Sequence, residues 1–351
     1  MFTDLIVIDA SSVLAGPSVG TFFAELGAKV IKVEHPKHSD VTRSWKLSTE
    51  RKDAVSAYFS SVNFKKNYIE LDLKDTEDHV RFIDLIRTAD ILLTNFKYGD
   101  DKKLHIEDDE LLALNPKLLI GKINGYGSES DRVAYDLILQ AESGIMSMNG
   151  TPESGPVKMP VAFIDVLAAH HLKEALLIGL YERTSSNKGN VYSVSLYDTA
   201  ISSLTNQASN YLMADHVAER IGSLHPNIAP YGELFETKDK QLITLAIGSD
   251  VHFSKLCIVL GLQNLVQNPN YISNQLRVLN RTELAMKIKS KIEEFNCDQL
   301  LNKLIDLNIP AGKIKDLEEV FNEQSAKDLI REEIINDTLT KRITSIVYKR
   351  G

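Results

Sequence analysis

Along the first two hundred residues, short continuous apolar runs alternate with segments whose apolar positions recur every three or four residues. LIVIDA (Leu5 to Ala10) is strand-like, SVGTFFAELGA behind Gly16-Pro17 has helical spacing that stops at Gly27, a C-cap position, and KVIKVE is a second strand. The unit recurs in NYIELDL (Asn67 to Leu73), in DTEDHVRFIDLIRTA with Asp75 at the N-cap, and in DILLTNF, and KLLIGKING adds another strand. Strand, helix and strand in succession imply a parallel sheet with right-handed crossovers. The pattern therefore predicts a doubly wound, Rossmann-like α/β domain whose ligands bind beyond the carboxyl ends of its strands.

MPVAFIDVLAAHHLKEALLIGLYER (Met159 to Arg183) then reads as one long helix, VYSVSLYD as a strand and TAISSLTNQASNYLMADHVAERI as a further helix. From GSLHPNIAPYGELFETKDKQLITLAIG onward, prolines, short alternating strands and a turn at Lys238-Asp239-Lys240 mark a change of texture. The predicted division is a large domain over 1–200, a linker helix over 201–224, a smaller α+β domain over 225–325 and a return to the large domain over 326–351. No internal repeat or low-complexity tract interrupts it.

With 351 residues, 43% hydrophobic and 25% charged, the chain has ordinary globular proportions and exceeds the size of one simple core. Its net charge of -8 argues against nucleic acid as a partner, although it leaves room for a local anion pocket. Cys257 and Cys297 are isolated, with no CxxC, so neither a disulfide scaffold nor a cysteine zinc site is expected. MFTDLIVIDA lacks the basic and apolar regions of a signal peptide, and no apolar run reaches the roughly 18 residues of a membrane span. The expectation is a cytoplasmic protein with no membrane partner and no metal.

GxGxxG, Walker, GxSxG and HExxH signatures are absent. Gly16-Pro17-Ser18-Val19-Gly20 follows the first strand and opens a helix, which suits either an anion held by backbone N–H groups or merely a tight turn with glycines for close packing. His35, Lys37, His38 and Arg43 follow the second strand, Lys65 and Lys66 precede the third, and Asn95-Phe96-Lys97 ends another. Bases at strand ends suit a diphosphate, and equally a solvated face. His170 and His171, five and six residues beyond Asp165, read as packing residues. Asp165 itself fits an N-cap or first-turn acid of the long helix.

Taken in order, IDASSVLAGPSVGTFFAELGAKVIKVEHPKHSDVTRSW, YFSSVNFKKNYIELDLKD, LLTNF, INGYG, AYDLILQAESGIMSMNG and VAFIDVLAAHHLKEALLIGLYERTSSNKGNVYSVSLYD resemble the family III CoA-transferases, the group that includes formyl-CoA transferase and α-methylacyl-CoA racemase. The resemblance runs from about residue 5 to 250 and returns at IPAGKI. It implies an interlocked homodimer with coenzyme A or acyl-CoA as substrate, and an aspartate nucleophile that falls on Asp165. Such a carboxylate, ionised at pH 7 if its pKa is ordinary, needs no general base to attack a thioester.

The resemblance also implies CoA contacts at Val13, Ala15, His35, Lys37, Lys66, Asn95, Phe96, Lys97 and Lys103. His35 and Lys97 stand where the family often has arginine, which makes phosphate contacts there point charges. Leu14 replaces the glutamine of formyl-CoA transferase, arguing against oxalate-like substrates. The racemase histidine is Tyr135 here, a poor base at neutral pH, followed by Asp136 as a candidate second carboxylate. The implied function is CoA transfer between carboxylic acids through an aspartyl-CoA thioester. An α-methylacyl-CoA racemase or epimerase and a CoA-binding paralogue without turnover are the alternatives. The chain is shorter than many transferases of this type.

Overall fold

The computed structural model describes residues 1–349. The chain divides into two compact units: Met1–Ser147, Lys158–Ala218 and Ser325 onward form the first, Met148–Val157 and Glu219–Gln324 the second.

The first unit is built on a six-stranded parallel sheet. Its strands are β1 (Ile6–Asp9), β2 (Lys29–Glu34), β3 (Lys66–Glu70), β4 (Ile91–Thr94), β5 (Leu119–Asn124) and β6 (Asn190–Ser195), ordered β3-β2-β1-β4-β5-β6. β1 and β4 are buried almost throughout, as the unbroken apolar runs IVID and ILLT require of central strands covered on both faces. Helices α1 (Ala15–Glu25) and α8 (Phe163–Ser186) pack on one face. On the other, Phe82 and Ile86 of α3 (Thr76–Thr88) and Leu111 of α5 (Asp108–Leu114) close over Ile8, Ile31, Leu92 and Ile120. Strand order reverses between β1 and β4, so the loops after those two strands diverge and leave a crevice at the carboxyl edge.

Local signals behave as their chemistry predicts. Asp75 caps α3 by accepting from the N–H groups of Glu77 and Asp78, and Gly27 takes a left-handed φ of 101° just past α1. The glycines at the start of α1 serve close packing: a Cβ on Gly16 would lie 2.3 Å from Ser11 Oγ, and one on Gly20 2.9 Å from Asp9 Oδ2. α8 is locked at its far end, where Arg183 donates to Asp90 Oδ1 at 2.9 Å and to the Lys117 carbonyl at 2.9 Å.

The second unit holds an antiparallel sheet of Tyr231–Glu236, Leu242–Ala246 and Ala311–Lys313. Ile243, Leu245 and Phe235 from that sheet share one core with helices Asp250–Leu260, Arg281–Ile292 and Cys297–Asp306. Both cysteines are free and buried in it. The single helix expected after the sixth strand is two, Leu196–Ser202 and Thr205–Ala214, and regular structure ends at Asp215, whose φ is 52°. Residues 148–157, expected in the large domain, group with the second unit. The C-terminal hairpin Ile330–Ile335 with Thr338–Ile343 belongs to the first.

Candidate functional site

The loop after β1 is held from three sides. Ser12 N–H donates to Asn95 Oδ1 at 3.0 Å while Asn95 Nδ2 returns a bond to the Ser12 carbonyl at 2.9 Å. Val13 N–H donates to Asp40 Oδ2 at 3.1 Å, and Lys32 Nζ to the Ser11 carbonyl at 2.7 Å. Val13 thereby sits at φ 73°, a conformation disfavoured for a β-branched residue and sustained by these bonds. Leu14, at the N-cap of α1, offers no side-chain cap, which leaves first-turn N–H groups without a side-chain acceptor.

Two cavities flank this lock and share Ser12, Asn95, Phe96 and Lys97. One, of about 420 Å³, is bordered by His35, His38, Asp72 and Lys74. The other, of about 290 Å³, extends past Val13 to Arg132 and Tyr135. His35 Nε2 lies 3.5 Å from Asp72 Oδ2. The side chains of Lys74 and Lys97 form no ion pair, so two uncompensated cations border the groove.

Of the residues expected to contact CoA, the groove gathers Val13, His35, Asn95, Phe96 and Lys97. Ala15 is buried and lines neither cavity, Lys37 is exposed outside both, and Lys103 is paired with Asp100 at 2.9 Å. Lys66 is a correction. Its ammonium is buried and donates to Asp9 Oδ2 at 2.7 Å, with the Pro17 and Val62 carbonyls and Asn63 Oδ1 also within 3.0 Å. Burial pushes this lysine down to about 8, against the pull of Asp9. Asp9 feels the same burial, yet Lys66 and Lys32 hold it below its ordinary value. With every donor engaged, Lys66 has none for a phosphate. Arg43 is likewise consumed, pairing with Glu34 and stacking 3.7 Å from the Phe59 ring centroid. Lys74 was missed because LDLK reads only as the end of a strand.

Asp165 occupies the first turn of α8 and caps nothing: Ala162 is the N-cap, and the Asp165 carboxylate accepts no hydrogen bond. Asp136, in the first turn of α6 (Asp136–Glu142), takes over the capping, accepting from Ile164 N–H at 2.8 Å and from Gln140 Nε2. Gln140 Oε1 in turn accepts from Met159 N–H at 2.8 Å, fixing the segment that leads into α8. Asp136 is thus a bonded, positioning carboxylate.

Burial, reinforced by the Asp136 charge, pushes Asp165 from 3.8 up to about 7. The expectation of an ordinary, fully ionised carboxylate is corrected accordingly. Tyr58 was also missed by the sequence reading. It is half-buried, in T-shaped contact with Trp45 at 5.1 Å, and burial together with the charges of Asp165 and Asp136 raises it to about 12, so its hydroxyl keeps its proton. Tyr135 is half exposed along the second cavity. His170 and His171 are exposed, not packed, because that face of α8 turns away from the sheet. No cluster of three potential metal ligands occurs among the described residues, and none of their helices is long and apolar enough to cross a membrane.

Comparison with known proteins gives one consistent result. The description of CoA-transferase family III matches residues 2–345. A succinate–glutarate CoA-transferase of Agrobacterium fabrum is 36% identical over 322 residues, covering 90% of this chain and 80% of its own. An acetyl-CoA:oxalate CoA-transferase of Acetobacter aceti is 31% identical, covering 92% and 82%. The crystal structure of a CaiB/BaiF family protein from Brucella suis superposes with a TM-score of 0.83 at 32% identity, over 98% of this chain and 91% of that one. With a mixed α/β fold on a parallel central sheet and a match along nearly its whole length, the chain belongs to CoA-transferase family III.

Proposed function

We propose that the enzyme moves CoA between two carboxylic acids through an aspartyl-CoA thioester on Asp165. The observation that carries the reading is the bare carboxylate of Asp165, unbonded and raised to about 7 beside a second carboxylate that is fully bonded. A carboxylate raised in this way is a better nucleophile than an ordinary one, and a substantial fraction of it is ionised at neutral pH.

Attack by an Asp165 oxygen on the acyl-CoA carbonyl forms a C–O bond and breaks the C–S bond, giving a mixed anhydride and CoA thiolate. The thiolate adds to the Asp165 carbonyl and expels the first acid as its carboxylate. The acceptor carboxylate then attacks the aspartyl thioester, and the thiolate released converts the second anhydride into the new acyl-CoA. No net proton is needed. Donors held near the developing oxyanion lower each barrier. Tyr58, whose hydroxyl burial and the charge of Asp165 keep protonated, is the donor assigned to this role in the proposed mechanism.

CoA lies along the groove, its phosphates meeting Lys74, Lys97 and His35 as point charges and its thioester end directed past Val13 toward Tyr135. The substrate class is a pair of short dicarboxylates, by analogy with the relatives named for succinate and glutarate. The strand order supports a doubly wound, Rossmann-like reading of the large unit. Exposed Tyr181, Leu212 and Met213 support self-association.

Intact-mass analysis with succinyl-CoA tests the mechanism. Wild type is expected to gain the mass of CoA less water, and Asp165→Ala to stay unmodified. The same adduct on the variant, or none on wild type with any acyl-CoA, defeats it.

A further inference from the structure

Eight residues beyond Asp165, about 12 Å along the axis of α8, Lys173 is only 7% exposed. Its ammonium has no hydrogen-bond acceptor and no carboxylate partner, its one described contact being the Phe22 ring, 5.4 Å from Nζ to centroid. Burial alone holds it down to about 8, so no counter-ion offsets the desolvation. An unpaired buried cation is costly, and a fold that keeps one is poised for an anion.

Lys173 also lines a cavity of about 450 Å³, within the ordinary range for small-molecule sites. The remaining wall is mostly hydrocarbon: Phe2, Phe22, Leu26, Leu177 and Val347. It shares no residue with the groove around Asn95 and Phe96. Other polar groups are accounted for. Glu174 is exposed, its carboxylate 3.4 Å from His171 Nδ1, the Met1 amine donates to the Leu26 carbonyl at 3.0 Å, and Glu25 is committed to Arg342 and Ser345. His170 is held below its usual value by burial and by Lys173, and Tyr348 lies at the rim.

We propose that this cavity is a second ligand site, which takes a straight-chain aliphatic monocarboxylate with its head group on Lys173 and its tail along Phe22, Leu26 and Leu177. One cation at the end of an apolar trough matches that amphiphile and no polyanion. The site stands apart from the CoA groove and needs no part of the transfer mechanism.

Calorimetric titration of the full chain, saturated with CoA, with decanoate reads the site directly. Expected are one decanoate per chain, a gain of about fourfold in affinity per added methylene from hexanoate to decanoate, and a loss of at least tenfold in Lys173→Met. Binding should weaken as pH rises through about 8, and that pH dependence should vanish in Lys173→Met. Lys173→Arg, which keeps the charge, should retain binding and covers the case in which the methionine variant fails to fold. Absence of saturable binding to wild type, equal affinity in Lys173→Met, decanol binding as tightly as decanoate, or displacement by CoA overturns the proposal.

Discussion

The starts of α6 and α8 each carry an aspartate in the first helical turn, and the two carboxylates meet opposite fates. Asp136 accepts from Ile164 N–H and from Gln140, so it anchors the entry to α8. Asp165, one residue past Ile164, accepts nothing and is driven up to about 7 by burial and by its neighbour's charge. The same division separates Lys66, whose ammonium is enclosed by oxygens, from Lys74 and Lys97, which face the groove unpaired. In each pair one charge is consumed in packing and hydrogen bonding and the other is left bare. The proposed chemistry follows from what the fold withholds from a side chain.

The largest effect expected from breaking this contrast is on turnover: Asp165→Ala should lower kcat by roughly 10³-fold or more, with CoA affinity near wild type, checked by steady-state kinetics and calorimetry. Lys66→Met should leave Asp9 buried without its partner and cost about 3–5 kcal/mol in denaturant unfolding, whereas Lys74→Ala should raise KM for acyl-CoA only a few-fold and leave stability unchanged.

Asp136→Asn sharpens the comparison further. Losing the charge that raises Asp165 should move the acidic limb of the kcat/KM profile below the midpoint near pH 7 expected for wild type. Loss of a charged acceptor at Ile164 N–H should cost about 1 kcal/mol.

The last effect, on stability, comes from the raised carboxyl itself. A carboxyl whose folded value lies above its unfolded value of 3.8 opposes folding once the unfolded chain ionises, and the penalty is complete above about pH 7. Asp165→Asn should therefore stabilise the fold at pH 8, by an amount on the order of 1–3 kcal/mol for a partly buried group, and by progressively less toward pH 4. An equal gain at both pH values would show that the raised carboxyl is not its source.

The amphipathic periods and continuous apolar runs determined the six parallel strands, the cap at Asp75 and a long helix within Met159 to Arg183, which the structure sets at Phe163–Ser186, because these depend on residues within a turn or two of each other. An ordered series of motifs singled out Asp165, Asn95, Phe96 and Lys97 as candidates. What the sequence left open was which charges are spent. Lys65 and Lys66 are adjacent and look alike, yet Lys65, in a left-handed conformation (φ 53°) just ahead of β3, is exposed, while Lys66, the first residue of β3, runs beneath α1 onto Asp9, 57 positions away. Asp136 and Asp165 likewise share a residue type and a helical position. Only the folding of α6 against the start of α8 decides which carboxylate is bonded and which is bare, because hydrogen bonding and desolvation are set by neighbours distant in the chain.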